Sequence, residues 1–320
     1  MLAAAVALAG ALVYGSADFL GGLAAKRLRS IVVTAVAAAT GLVLLLLAAY
    51  PVVGGEWIPA DIAWGVLSGF TGAIAIVLLY ACLAIGPMSI LSPLTAVVSA
   101  IAPVLWALLV EGETLSWIGC AGLAVALVAV VLVGFIPGEK VVRPSARGLL
   151  LAIGAGLAIG AFLIVIDRTS DESGVVPLIV NRSVSTLITS AVVGVLALVA
   201  VRAGRRAASV FAATGARLGA TPTGHADLEH ATESPEPEVR PGIASAWWLA
   251  AGCGALDATA NLVIVFALRL GDLAIVSALT AMYPAGTILL AAVVLRERIA
   301  GVQWLGLGLA LAAGAMLALA

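Results

Sequence analysis

The sequence predicts an all-α membrane protein with ten transmembrane helices, built as two inverted five-helix repeats. Three observations predict this fold class: an extreme hydrophobic content, a series of apolar segments of spanning length, and an internal repeat. Of the 320 residues, 63% are hydrophobic and 10% are charged, and the mean hydropathy is +1.21. Soluble domains contain about 45–50% apolar and about 25% charged residues. Most of this chain therefore requires lipid as its solvent.

The apolar segments are separated by charge clusters, prolines and Gly-Pro steps. A membrane-spanning helix needs about 20 residues, and each segment is near that length. The predicted spans cover residues 3–23, 32–52, 62–82, 88–110, 116–136, 147–166, 175–200, 245–267, 273–295 and 301–319. Alanine and glycine recur within them, and such small residues let helices approach closely in lipid, where no hydrophobic force drives helix packing.

One polar stretch interrupts this pattern between spans seven and eight. Residues 202–242 carry 10 of the 33 formal charges, and the later part of the stretch has no core-forming residues. The sequence therefore predicts a polar, disordered loop over residues 202–243, and its composition favours an inert linker over a regulatory segment. The predicted division is residues 1–137 for the first repeat and residues 138–320 for the second.

The internal repeat joins the two halves of the chain. Residues 81–100 align with residues 266–285 at a shift of 185, with 8 of 20 positions identical. At a shift of 184, Glu113 matches Glu297. Matches at glycine, serine and threonine carry the signal, because alanine and leucine matches are common in this composition. A repeat of five spans has an odd number of crossings, so its two copies have opposite orientations. Inverted repeats with a binding site near the bilayer midplane are typical of secondary transporters.

The basic residues predict the orientation of the spans. If the N-terminus faces outward, 13 of the Lys and Arg residues lie in inward loops and 2 in outward loops. Cytoplasmic loops of membrane proteins carry an excess of Lys and Arg. The charge distribution therefore predicts that both termini are outside and that the long polar loop is cytoplasmic.

Polar side chains at membrane depth are costly and are by default candidates for function. Tyr14 and Asp18 lie four residues apart in span one, and Asp257 and Asn261 do so in span eight, so each pair shares a helix face. The other candidates are Asn181 and Arg182 in span seven, Tyr80 at the end of span three, and Tyr283 beside Pro284 in span nine. Together these residues form the predicted substrate-binding set.

Two of these candidates are carboxylates and one is a guanidinium. Arg182 can pair with Asp18 or with Asp257, which leaves the other carboxylate to take up a proton or to hold a cation. Proton coupling is one hypothesis for this arrangement. The other is a structural ion pair together with one aspartate that reaches water at the interface. The sequence alone leaves both open.

Aromatic and turn residues add two further interpretations. Tyr14, Tyr80, Tyr283 and Trp106 are candidates for an aromatic-lined pocket, whereas a lone Tyr or Trp usually belongs to the interfacial belt. Mid-span depth favours the pocket for Tyr14 and Tyr283, and Pro103 and Pro284 are both expected to interrupt their helices. Glu113 and Glu297 are interpreted as architectural carboxylates at the N-terminal side of the helix that follows each of them.

The sequence predicts no cofactor, no metal site and no catalytic residues. Both histidines lie in the polar stretch, and the three cysteines have no metal-ligand or disulfide spacing. A net charge of −1 gives no basic field for nucleic acid. A membrane-embedded enzyme would need convergent catalytic groups in the spans, and a non-transporting scaffold would not need charges at depth. These two stand as alternatives to a transporter.

Two glutamate motifs complete a resemblance to a known family. The first is Gly-Glu-Thr-Leu-Ser-Trp-Ile-Gly at residues 112–119, and the second is Arg-Glu-Arg-Ile-Ala-Gly-Val-Gln-Trp-Leu-Gly at residues 296–306. With ten spans and an inverted repeat, the chain resembles the EamA-type permeases of the drug/metabolite transporter superfamily. The chain departs from the usual family description in its long loop, its outward termini, and an arginine in span seven but none in span two.

The resemblance implies what the protein does. It implies a multi-pass permease of the cytoplasmic membrane that moves a small metabolite, amino acid or drug by alternating access, often as an exporter. The partners are then a small-molecule substrate and the lipid bilayer, and the oligomeric state is left open. The first, third and fourth spans of each half would form the central cavity. Those spans hold Tyr14, Asp18, Tyr80, Asp257, Asn261 and Tyr283.

Overall fold

The computed structural model describes residues 2–25, 27–85, 88–133, 145–212, 243–294 and 301–319. Regular secondary structure in these ranges is helical. The α-helices used below are α1 (Leu2–Ala25), α2 (Ser30–Leu44), α3 (Pro59–Ile85), α4 (Met88–Trp106), α5 (Trp117–Val133), α6 (Ala146–Asp167), α7 (Val176–Arg202), α8 (Ile243–Leu270), α9 (Leu273–Thr280), α10 (Tyr283–Val294) and α11 (Gly301–Ala318).

Many of these helices are suited to a bilayer. In the described residues, 6 helices are long and apolar enough to cross a membrane, and shorter apolar helices lie at Trp117–Leu132, Leu273–Thr287 and Gly301–Leu317. Large apolar side chains such as Leu47, Leu109, Trp117 and Trp248 are exposed on the helix surfaces, as expected where lipid is the solvent. The prediction of an all-α, multi-pass membrane protein is confirmed.

Two helices depart from regular α-geometry near the same end of the bundle. α2 continues through a π-helical segment at Leu45–Ala49 into a last α-helical turn at Tyr50–Val53, and α4 ends in a π-helical segment at Ala107–Glu111. Such π-segments are frequently found at functional sites.

Prolines have unequal effects in this structure. The span that begins at Leu273 is interrupted at residues 281–282, next to Pro284, because proline cannot donate the backbone hydrogen bond that would continue the helix. The expected break at Pro103 is wrong, since α4 runs through it without interruption. Trp106, the last residue of α4, lies at the end of the bundle and lines neither of the cavities described below.

Helix packing places small residues at the crossings. α1 packs on α8, α9 and α10, while α6 packs on α3 and α4. α2 packs on α7 and α8, α3 packs on α7, and α5 packs on α11. At two crossings glycine leaves no room for a side chain: a Cβ at Gly254 would overlap the Ala37 backbone, and one at Gly69 would lie 2.8 Å from the Val184 Cβ. These close approaches are typical of helices packed in lipid.

The two ends of the bundle differ in charge. The acidic end, defined as residues 54–61, 111–116, 167–175 and 269–273, carries eight carboxylates and two arginines. At the basic end, defined as residues 25–30, 145–147 and 202–212, every charged residue that the structure describes is an arginine. The basic end also corrects one prediction, because the first part of the expected disordered loop is folded. The Phe211 carbonyl there accepts a hydrogen bond from the Arg29 amide at 2.9 Å. The rest of that loop, and Glu297, lie outside the described residues.

Candidate functional site

A polar cavity of about 90 Å³ lies between α1, α2, α3, α6, α7 and α8. Polar side chains from four of these helices face it, with alanines, Ile159 and Phe162 forming the apolar wall. The polar lining residues are Tyr14, Thr34, Asn181, Arg182, Ser185, Thr189, Asp257 and Asn261. The cavity has room for several waters or one small solute.

An ion pair between Arg182 and Asp257 forms one side of this cavity. The two side chains are only 14% and 5% exposed. The Asn261 amide donates to the Asp257 backbone carbonyl at 2.8 Å and to its carboxylate at 3.4 Å, and Tyr14 lies in hydrogen-bonding range of that carboxylate. A buried ion pair is stable only when such additional hydrogen bonds satisfy its remaining polar atoms.

Arg182 is less completely satisfied than its partner. Its Nε atom is buried, and no described residue accepts a hydrogen bond from it. A buried donor without an acceptor costs free energy, so in a native protein such a group is expected to meet a water, an ion or a bound group. Because Arg182 lines the cavity, an acceptor group on a bound solute is one way to satisfy it.

Asp18 lies near the Arg182–Asp257 ion pair. It is fully buried and lies one helical turn from Tyr14. The charges of Asp18, Arg182 and Asp257 all act on Tyr14 and on Cys253. Two carboxylates and one guanidinium thus lie close together, with a formal charge of −1 when all are ionised.

Asn181 connects the cavity to α3. Its amide donates to the Ser68 hydroxyl at 2.9 Å, and Ser68 in turn donates to the Gly65 carbonyl at 2.8 Å. Gly69, one residue further along α3, brings the two helices close enough for this bond. Asn181 therefore fixes the position of α7, which also carries Arg182.

A smaller compartment of about 30 Å³ adjoins the polar cavity. Tyr14, Ile159 and Phe162 line both spaces. The Tyr14 ring lies 6.2 Å from the Tyr283 ring, centroid to centroid, with the two planes inclined at 50°. Ser99, Ser277 and Thr280 add hydroxyl groups to an otherwise apolar lining, and the buried Thr280 hydroxyl has no hydrogen-bond partner among the described residues.

The structure brings most of the predicted set together. Five of its members, Tyr14, Asn181, Arg182, Asp257 and Asn261, line the polar cavity. Tyr283 lies in the small compartment against Tyr14, and Asp18 is buried beside them. The side chain of Tyr80 lies outside the described residues. That these residues bind a substrate stays a prediction.

Several lining residues were missed because their sequence signal is weak. Thr34, Cys253, Ile159 and Phe162 are ordinary residues for an apolar helix, and only the tertiary structure places them at the cavity. Gly72 could have been predicted from the sequence as a lining residue, because the shift of 185 that relates the two halves aligns it with Asp257, a member of the predicted set.

Glu113 has a different partner from the one expected. Its two carboxylate oxygens accept hydrogen bonds from the backbone amides of Leu273 and Ala274, at 2.9 and 3.2 Å. These amides begin α9, from the other half of the chain, so the expectation that Glu113 serves the helix following it is wrong. Local sequence could not reveal this contact between residues 160 positions apart.

Comparisons with known proteins agree with this architecture. The model of the EamA-like transporter family matches residues 232–319. No curated protein matches the chain. A solved structure, titled only as the crystal structure of a protein, superimposes with a TM-score of 0.62 at 17% sequence identity, over 100% of this chain and 99% of that one. At this identity the likeness shows the fold alone. The match of the family model confirms the resemblance over residues 232–319. The chain is a multi-pass membrane protein that matches the EamA-like transporter family, part of the drug/metabolite transporter superfamily, in this region.

Proposed function

We propose that this protein is a secondary transporter of the cytoplasmic membrane, which moves a small metabolite, amino acid or drug by alternating access. Members of its family are transporters and not enzymes. The observation that carries the proposal is the buried Arg182–Asp257 pair lining a polar cavity midway along apolar helices. Charged groups at this depth are costly and are retained where they line a transport pathway.

Helix packing supports the proposed inverted repeat of ten spans, with residues 1–137 and 138–320 as its two copies. The packing of α1 on α8 has a counterpart in that of α6 on α3, and the packing of α2 on α8 has one in that of α7 on α3. The shift of 185 also pairs Gly69 with Gly254, and each makes a close crossing with the second span of the opposite half. Such a repeat gives two equivalent ways to close the cavity, one at each end.

The charge balance supports coupling to protons. Arg182 neutralises one carboxylate, and the second carboxylate is then costly to keep ionised at this depth. Proton uptake at Asp18 or Asp257 would remove the excess charge, and proton release on the other side would couple its movement to transport. A structural ion pair would require no such exchange.

Counterflow into proteoliposomes with a panel of radiolabelled metabolites, amino acids and drugs tests the transporter. A carrier exchanges external label for internal substrate, whereas a scaffold protein gives no counterflow with any compound. For coupling, we expect Asp18→Asn to abolish the acceleration of uptake by a pH gradient while counterflow persists. Asp257→Asn, which also removes the partner of Arg182, should abolish the acceleration and weaken counterflow as well. Asp171→Asn is the matched control, since the Asp171 carboxylate is 80% exposed at the acidic end. An unchanged response to the gradient in both cavity variants would rule out coupling through these groups.

A further inference from the structure

The acidic end of the bundle is held together by polar contacts between helices of both halves. Glu111 pairs with Arg168, whose guanidinium lies 5.7 Å from the centre of the Trp106 ring. Arg269 donates to the carbonyls of Ser170 and Gly174, both at 3.1 Å. These contacts tie α4 and α8 to the loop that follows α6, and so close the acidic end around the helix termini.

Glu113 extends this closure to α9. The turn that carries Glu113 joins α4 to α5, and its carboxylate binds the first two amides of α9. The N-terminal amides of a helix have no partners within it and carry a partial positive charge. Asp272, which precedes α9, makes no side-chain capping bond. The cap for this helix is therefore supplied by the other half of the chain.

The far end of α9 lines the small compartment. α9 has only eight residues, so Leu273 at its start and Thr280 at its end are about 11 Å apart along the axis. Ser277 and Thr280 face the compartment, and the helix is interrupted directly after Thr280. A short helix with a break at one end can tilt as a unit. Its position is then set by its packing on α1 and α4 together with the cap at its other end.

We propose that Glu113 is a positioning residue of the transport cycle: its carboxylate forms a latch, the contact with the Leu273 and Ala274 amides, that holds α9 over the small compartment. Release of this latch lets α9 tilt away and opens the cavity toward the acidic end. The inference rests on the proposed function, because only alternating access requires that end to open. Glu113 touches no cavity surface itself and acts through Ser277 and Thr280 on α9.

Thiol labelling from each side of the membrane tests this role. Ser99→Cys places a reporter in the small compartment on α4, a helix other than α9. A membrane-impermeant maleimide is added to intact cells or to inverted vesicles, and the label at residue 99 is read by mass spectrometry. Glu113→Gln keeps the side-chain shape and removes the charge. We expect about tenfold faster labelling from the acidic end, the effect of losing one charge-assisted hydrogen bond, and slower labelling from the basic end.

Two control variants distinguish opening at the acidic end from a general loosening of the helix bundle. Glu56→Gln removes an exposed carboxylate from the same end and should leave both rates unchanged, while Glu113→Asp should fall between wild type and Glu113→Gln. Unchanged labelling in Glu113→Gln, or equal acceleration from both sides, would overturn the proposal. Labelling needs no substrate, so it tests the latch independently of transport. If Glu113→Gln changes the labelling rates as expected but the protein shows no counterflow, the role of Glu113 stands and the proposed function fails.

Discussion

Arg182 and Asp257 show how one buried ion pair determines the chemistry of the cavity. Removal of one partner of a buried pair costs about 3–5 kcal/mol, because the other charge stays buried without compensation. Here Tyr14 and Asn261 help to satisfy the carboxylate, whereas the Nε of Arg182 has no acceptor among the described residues. A solute with an acceptor group therefore gains more at Arg182 than at Asp257.

Gly15 determines how closely α1 approaches α10. The Gly15 carbonyl accepts a hydrogen bond from the Thr287 hydroxyl at 3.0 Å, and a Cβ at Gly15 would lie 2.7 Å from the Thr287 nitrogen and overlap the Tyr283 carbonyl. We expect Gly15→Ala to lower the free energy of unfolding by about 1–3 kcal/mol, the usual cost of overpacking. Thermal unfolding in detergent micelles measures this change. Gly194→Ala is the control, since a Cβ there meets no atom within 4 Å, and equal stability of the two variants would contradict the close crossing.

At the scale of the helix, the contact of the Glu113 carboxylate with the first two amides of α9 depends on pH. Burial raises the pKa of Glu113 above its ordinary value, and this outweighs the lowering by the amides of Ala274 and Leu273. The negative charges of Asp272 and Glu111 raise that pKa further, and Asp167 at the end of α6 also interacts with Glu113. The latch is therefore charged above the raised pKa and loses its charge as the pH falls through it.

This sign gives a prediction for protein in which Glu113 is unchanged. Labelling of Ser99→Cys from the acidic end should accelerate as the pH falls from about 7.5 toward the ordinary glutamate pKa of about 4.3, and it should do so at a higher pH than an exposed glutamate would allow. Each labelling rate is divided by the rate at which the maleimide labels a free thiol at the same pH, which removes the pH dependence of the thiol reaction itself. In Glu113→Gln the corrected rate should stay flat across the same range. A parallel rise in that variant would assign the pH response to another carboxylate.

At the scale of the whole molecule, hydrophobic pattern predicts most of the fold and part of the site. Segments such as 147–166 and 175–200 agree closely with α6 and α7, because spanning length is read from composition alone. Tyr14, Arg182 and Asp257 could be identified since charge and aromaticity at depth are rare. Ile159 and Phe162 could not, because an apolar residue facing a cavity and one facing lipid have the same sequence signal. The contact of Glu113 with α9 depends on tertiary packing, so the hydrophobic pattern of the sequence does not predict it.

The separation of charge between the two ends predicts how the whole bundle sits in the membrane. Arg27, Arg29 and Arg206 lie at the basic end, while carboxylates outnumber arginines at the acidic end. Because Lys and Arg are retained on the cytoplasmic side, we expect the acidic end and both termini to face outward. Alkaline phosphatase fused after Ala320 should be active, and a fluorescent protein there should be dark. Fusions that end at Gly224, in the long loop, should show the reverse. Fluorescence at Ala320 would place the acidic end in the cytoplasm, and the latch at Glu113 would then control opening to the inside.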